Sequence, residues 1–403
     1  MKNFWIAACI GSIGVLIGVI IFAGSSYIRY TEENHVADAF LQLPSESDPM
    51  PQTTRKELRI DQAQNSAEGI EGETTAVPSL VISSIQELEP AKQEIRLLFG
   101  GDIYLSDTFL EAYDTAGIYG ILEEEVVTLM TDADITMANQ EFAFSDRGTP
   151  MEEKQYTFRI SPSRVKLFQE MGIDIVSLAN NHALDFGTAA LEDSFETLDQ
   201  AGILYAGAGK NLSRAKEMQT ITIEETVIGF LAASRVIPVA DWNAGSASTG
   251  MLTTYSPELL CRAIQENREK CDYLIVFVHW GVERNSEPED YQFRMGKQYI
   301  DAGADAVIGC HPHVMQGIEY YQGKPIAYSL GNYIFNLRGE STALFQLIIQ
   351  EDGEVTAQLI PVQTNVLPFR LLTGEKKKEF FRYIESISFQ IGIDEDGKIR
   401  YNK

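Results

Sequence analysis

From residue 95 onward, short apolar runs alternate with stretches of helical period, and this alternation restricts the chain to an α/β architecture more firmly than any other feature. The runs fall at 95–99, 135–138, 174–178, 274–278 and 306–308. Amphipathic stretches between them predict helices over 121–130, 162–171, 189–201, 257–270 and 289–302. Gly172, Gly202 and Gly303 stand where helix C-terminal caps belong. Two segments read as antiparallel hairpins, 219–223 with 227–232 and 344–350 with 355–362. A last amphipathic helix is predicted over 376–387, before a tail with a turn at Asp396-Gly397.

The first 92 residues obey other rules. Residues 4–28 form an apolar stretch long enough for a helix of about 20 residues to cross a bilayer. A cleaved signal peptide is the competing reading, with Ala23-Gly24-Ser25-Ser26 as its cleavage site; the length of the run favours an uncleaved anchor. Lys2 before the run, and Arg29 with Glu32 and Glu33 after it, lean slightly towards an inside N-terminus, which puts the rest of the chain outside. Residues 31–90 carry twelve acidic and three basic side chains among Pro, Ser, Thr and Gln, and read as a disordered, solvated stalk. The expected organisation is an anchor over 1–30, an acidic linker over 31–92, an α/β domain over 93–370, and a C-terminal helix and tail over 371–403. The expected location is the cell membrane, crossed once, with the domain outside.

A formal charge of −26 on 403 residues repels nucleic acid and disfavours anionic lipid headgroups. Cys9 lies in the apolar run. Cys261, Cys271 and Cys310 lack zinc-type spacing and read as buried thiols, with a Cys261–Cys271 bridge as the alternative.

The chemistry gathers where strands end. Gly100-Gly101-Asp102 closes the first, Asn139-Gln140-Glu141 the second, and Asn180-Asn181-His182 the third, with Asp185 close behind. His279-Trp280-Gly281 closes the fourth and Cys310-His311-Pro312-His313 the fifth. Ligand sites of open α/β sheets form outside the carboxyl ends of the strands. Each residue has an ordinary alternative, since Asp102 can cap a turn and a lone histidine is more often structural than ligating. Their joint placement favours a shared centre. Carboxylates, an amide and imidazoles together suit zinc, manganese or iron and do not suit calcium, which takes oxygen ligands. Asp102, Glu141, Asn181, His182, His279, His311 and His313 are the expected members of a centre for one or two divalent ions.

Those ordered segments, with Ser329-Leu330-Gly331-Asn332-Tyr333 and the neighbourhood of Phe158-Arg159, resemble the bacterial CapA family of capsule and poly-γ-glutamate biosynthesis. That family is related in fold to calcineurin-like metallophosphoesterases, and the likeness spans about residues 95–363. The resemblance implies a two-sheet α/β/β/α sandwich. It places Asp102, Glu141 and His313 near one metal, and Glu141, Asn181, His279 and His311 near a second. It makes His182 the group that protonates a leaving oxygen. Asp185 is expected to orient His182. Arg159 is a candidate for holding an anionic substrate, with a structural salt bridge as the equal alternative. Asn139 is a candidate for the same contact, as is Asn332, whose other reading is a turn residue. Metallophosphoesterases at large carry a histidine where this chain has Tyr104, so one metal position has a thin ligand set.

Three functions fit the sequence. One is a metal-dependent, phosphoesterase-like hydrolase at the cell surface, acting on a phosphoester or an anionic polymer. The second is a non-catalytic assembly subunit beside poly-γ-glutamate synthase or export proteins. The third is a metal-bearing module that binds a carboxylate polymer.

Overall fold

The computed structural model describes residues 94–337 and 341–402. The apolar run 4–28, Cys9, His35 and the acidic stretch to residue 92 lie outside the described residues. Apart from residues 239–241, the described residues belong to one unit.

In chain order the main strands are β1 (Ile95–Ile103), β2 (Ile135–Gln140), β3 (Ile175–Ser177), β4 (Leu204–Ala206), β5 (Gln219–Ile223), β6 (Thr226–Ser234), β7 (Tyr273–His279), β8 (Ala306–Cys310), β9 (Ile318–Tyr321), β10 (Lys324–Ala327), β11 (Asn332–Ile334), β12 (Thr342–Ile349), β13 (Val355–Gln363), β14 (Ile391–Ile393) and β15 (Lys398–Tyr401). The main helices are α1 (Asp107–Ala116), α2 (Glu124–Asp132), α3 (Thr188–Ala201), α4 (Glu258–Asn267), α5 (Asp290–Ala302) and α6 (Gly374–Ile387).

Two mixed sheets result. The first follows the order β14-β15-β13-β12-β1-β2-β3-β4, with β11 parallel to β1. The second follows β9-β10-β8-β7-β6-β5. Side chains alternate across each strand, and that alternation builds the layers. Leu97 and Phe99 of β1 join Phe230 of β6 and Ile275 and Phe277 of β7 in one buried core, while Leu98 and Ile103 point the other way. There they meet Phe109 of α1, Val126 and Met130 of α2, and Leu191, Phe195 and Leu198 of α3. On the far face of the second sheet, Leu231, Val276 and Val278 pack with Leu260 and Ile264 of α4 and Met295, Tyr299 and Ile300 of α5. The sequence of layers is helices, sheet, sheet, helices. Each fully buried side chain of this kind contributes about 1.5–3 kcal/mol, so the strands that carry the polar cluster are held from both faces.

The helices obey their sequence signals. Leu191, Phe195 and Leu198 form one stripe of α3, which ends at Gly202 in the left-handed conformation. Both hairpins expected from sequence pair antiparallel. Cys261, Cys271 and Cys310 are free, so the alternative of a Cys261–Cys271 bridge does not hold. The segment from 371 onward enters the same body. Phe380, Phe381 and Ile384 of α6 join the core between the sheets, and β15 pairs with β13. Among the described residues no helix is long and apolar enough to cross a membrane.

Candidate metal centre

The backbone aims the cluster before any side chain contributes. Asp102 lies opposite Asn139 of β2 and Asn332 of β11. The β1–β2 ladder shifts register between Phe99 and Asp102, the kind of irregularity that re-aims a side chain. Asp102 N–H donates to the Gly331 carbonyl at 2.9 Å. That approach requires a bare neighbour, because a Cβ on Gly101 would stand 1.9 Å from Gly331 O. His279 ends β7. His311 and His313 follow β8 with φ of 99° and 58°, in left-handed backbone that side-chain-bearing residues seldom adopt.

These strand ends bring six of the expected groups together. His313 Nδ1 lies 3.3 Å from Asp102 Oδ2, and its Nε2 lies 3.9 Å from Glu141 Oε2. His279 Nε2 lies 3.3 Å from Glu141 Oε1 and 2.9 Å from Asn181 Oδ1. The His279 and His311 rings are 4.6 Å apart between centroids. Glu141 thus stands between the His313 side and the His279 side. Two sets of donor atoms converge within 4.8 Å, Glu141 with His311 and His313, and Asp102 with His279 and Cys310. Both buried groups can hold metal ions. Asn332 Oδ1 accepts from His313 Nδ1–H at 2.8 Å, which turns Nε2 towards Glu141.

Electrostatics give the cluster its character. Desolvation pushes the Glu141 carboxyl well above the usual range, and the neighbouring Asp102 adds to it. Burial also penalises charge on Asp102, but bonds from His313 and Asn139 hold its carboxyl below the usual value. Desolvation and the other imidazoles push His279 well below the ordinary histidine value and His311 down to about 3. Both rings are therefore neutral at physiological pH. Desolvation opposes charge on His313 too, but Glu141 and Asp102 outweigh it and raise that imidazole to about 10. Glu141 Oε2 and His311 Nδ1 are buried and have no hydrogen-bond partner. Such atoms are costly unless something else occupies their lone pairs, and a divalent cation fits them.

His182 forms a second group at the rim. Its Nδ1–H donates to Asp185 Oδ2 at 2.7 Å, and its ring stacks on Phe158 at 4.2 Å. Asp185 also accepts from Phe158 N–H at 2.8 Å. Burial lowers the His182 pKa, and Asp185 pulls it part of the way back. Lys154 was not visible in the sequence pattern, yet its ammonium binds Asp185 Oδ1 and the Asn181 carbonyl and lies 3.2 Å from His182 Nδ1. It sits in a polar loop with no periodicity, so only the fold could reveal it. Cys310 was expected as an ordinary buried thiol. It is fully buried, but its sulfur lies 3.2 Å from His279 Nδ1. Its place directly before His311 was the available signal.

Two candidates for substrate contact are engaged by the protein itself. Asn139 is as fully buried as the carboxylates beside it, donating to Asp102 Oδ1 at 2.9 Å and Glu141 Oε1 at 3.2 Å while its oxygen accepts from Asn180. Arg159 is held through carbonyls and a ring. It donates to the backbone oxygens of Arg147 and Gly148 and lies over the Phe186 ring at 4.3 Å. Asn332 supports His313, as described.

Residues 96–337, more than half of the chain, match the model of the family described as bacterial capsule synthesis protein PGA_cap. The chain belongs to this family. Every residue of the PGA_cap cluster lies inside the matched segment, whereas α6, β14 and β15 lie beyond it. The chain is 29% identical to the PGA biosynthesis protein CapA of Bacillus subtilis (strain 168), over 62% of this chain and 67% of that protein. It is 31% identical to the capsule biosynthesis protein CapA of Bacillus anthracis, over 49% of each. It is 26% identical to a probable polyglutamine synthesis accessory protein of Mycobacterium tuberculosis (strain CDC 1551 / Oshkosh), over 65% of this chain and 74% of that protein. This PGA_cap chain thus spans between half and three quarters of the length of these relatives.

Proposed function

We propose that this PGA_cap chain is a membrane-tethered, metal-dependent hydrolase of the phosphoesterase type, working outside the cell in capsule or poly-γ-glutamate synthesis or export. The observation that carries the reading is that Glu141 Oε2 and His311 Nδ1 are buried without hydrogen-bond partners, on two residues whose donor atoms converge with those of His313. The helix–sheet–sheet–helix layering agrees with the metallophosphoesterase arrangement that the sequence resemblance implied.

Asp102, Glu141, Asn181, His279, His311 and His313 would hold one or two divalent ions, and this mixed set of oxygen and nitrogen donors suits zinc, manganese or iron. When bound, such a cation makes water acidic enough to yield hydroxide near neutral pH and stabilises negative charge on oxygen. The protein's own residues supply the remainder. His182 carries the proton to the leaving oxygen, a role worth typically about 10²–10⁴-fold. Asp185 holds the ring by Nδ1 and Lys154 holds Asp185, so Nε2 is the nitrogen turned outward. The stacked faces of Tyr104 and Phe158, 4.0 Å apart, keep one side of His182 dry.

A second reading is a non-catalytic assembly or polymer-binding subunit of a membrane capsule-synthesis complex, beside poly-γ-glutamate synthase or export subunits. The names of the relatives favour it, since they concern biosynthesis and one is called accessory. His182→Ala separates the two. Lost function with metal retained supports catalysis, and full function supports assembly.

The decisive experiment is metal analysis of the full chain purified in detergent, with phosphodiesterase and phosphomonoesterase assays. We expect stoichiometric zinc, manganese or iron, lost in His279→Ala and His311→Ala. Metal-free protein with undiminished activity would end the proposal.

A further inference from the structure

Both nitrogens of His279 are within reach of polar neighbours, and the Nε2 side is the one that faces the other expected ligands, Asn181 and Glu141. Nε2 lies 2.9 Å from Asn181 Oδ1 and 3.3 Å from Glu141 Oε1. Atoms that ligate one ion at zinc-like bond lengths stand roughly 2.9–3.5 Å apart. Nδ1 faces Asn139 Nδ2 at 3.3 Å and Cys310 Sγ at 3.2 Å. Asn139 cannot accept a hydrogen there. Its oxygen is taken by Asn180 Nδ2 at 3.1 Å, and Asn180 is itself oriented by donating to Gln140 O and accepting from His182 N–H. The two hydrogens of the Asn139 NH₂ go to Asp102 Oδ1 at 2.9 Å and Glu141 Oε1 at 3.2 Å, which leaves none for His279 Nδ1.

We infer that Cys310 is a positioning residue whose sulfur accepts the Nδ1–H of His279, fixing the ring with its Nε2 lone pair towards the metal site. The inference rests on the metal reading above. Cys310 Sγ in turn contacts the Val278 carbonyl at 3.8 Å, so the chain of contacts runs from the ring through sulfur to the backbone of β7. Two features hold the sulfur in place. Cys310 pairs with His279 across the β7–β8 ladder. Gly309 before it has no room for a side chain, since a Cβ would meet Tyr328 O at 2.0 Å and Trp280 Nε1 at 2.5 Å. A ligating histidine whose other N–H lacks its partner typically loses about 10–100-fold in metal affinity.

Cobalt(II) titrated into the full chain in detergent, after chelation, tests this. We expect visible d–d bands without a thiolate-to-cobalt charge-transfer band, affinity lower by about 10–100-fold in Cys310→Ala, and most of it restored in Cys310→Ser, whose hydroxyl accepts the same hydrogen. A charge-transfer band would make Cys310 a direct ligand and overturn the inference. Equal affinity in wild type and Cys310→Ala, or Cys310→Ser no better than Cys310→Ala, would also overturn it, while the metal reading stands. No cobalt uptake by wild type overturns both. If Cys310→Ala does not fold, nitrogen-15 shifts of His279 in the zinc-loaded wild type decide: a proton on Nδ1 supports the inference, and a bare Nδ1 overturns it.

Discussion

His311 and His313 stand two residues apart, yet the protein drives their acid–base behaviour in opposite directions. His311 falls from an ordinary value of about 6.5 to about 3, chiefly by desolvation, while Glu141 and Asp102 lift His313 to about 10 against its own desolvation. Between pH 3 and 6.5 the unfolded chain binds a proton at 311 that the folded chain refuses. The His311 contribution is therefore complete above about 6.5 and is lost as pH falls towards 3. Between 6.5 and 10 the folded chain keeps a proton at 313 that the unfolded chain releases, so the His313 contribution is complete below 6.5 and is lost as pH rises through 10. Chelated protein should be most stable near pH 6.5 in denaturant titrations. His311→Asn should flatten the acid limb and His313→Asn the alkaline limb; unchanged limbs in these variants would contradict the assignment. At this scale most of the cluster was legible in the sequence. Asp102, Glu141 and the histidines each close an apolar run, and a strand delivers its last residue to the rim whatever the rest of the chain does. For Asn139 the sequence left the partner open, and the register of β1 against β2 sets it opposite Asp102, where its amide donates to both carboxylates.

The loop between β2 and β3 shows what an element without a period can do. Lys154 reaches from it to Asp185, forming an ion pair in which the carboxylate is fully buried and the lysine side chain is 15% exposed. Removing one partner of a buried pair strands the other, at a cost of about 3–5 kcal/mol; the partial exposure of Lys154 puts the expectation at the low end. Lys154→Met should destabilise the chelated protein by roughly 3 kcal/mol in denaturant titrations. Since Lys154 also depresses the His182 pKa, the imidazole of His182 should titrate higher in this variant by NMR. A change under about 1 kcal/mol would show that Lys154 is only a surface charge. Periodicity explains what could be foreseen among the elements. Fourteen residues of α3 repeat the stripe often enough to be read. The strands β3 and β4 have three residues each, and only the first was anticipated, because a longer apolar run surrounds it. Helix α1 went unseen because only Phe109 of its ten residues is buried.

For the whole molecule, the sequence declared the fold class and left the order of strands open. Pairing β12 of the C-terminal half with β1 of the N-terminal half joins residues some 250 positions apart, and no local pattern encodes it. The same holds for the two sheets, whose contact depends on Phe99, Phe230 and Phe277 meeting in one core. The proposed anchor belongs to this scale too. Deleting residues 1–30 should move the protein from the membrane fraction to the soluble fraction on ultracentrifugation without changing its metal content; retention in the membrane fraction would assign attachment to another part of the chain.

The left-handed backbone at 311 and 313 has one more consequence. Glycine adopts that conformation without the penalty of roughly 1–2 kcal/mol that a Cβ brings. Replacing either residue sets the relief of that strain against the loss of an imidazole whose shifted pKa adds to stability near neutral pH. Selection for thermal hardiness alone would therefore discard these two residues only at a pH where their imidazoles add little.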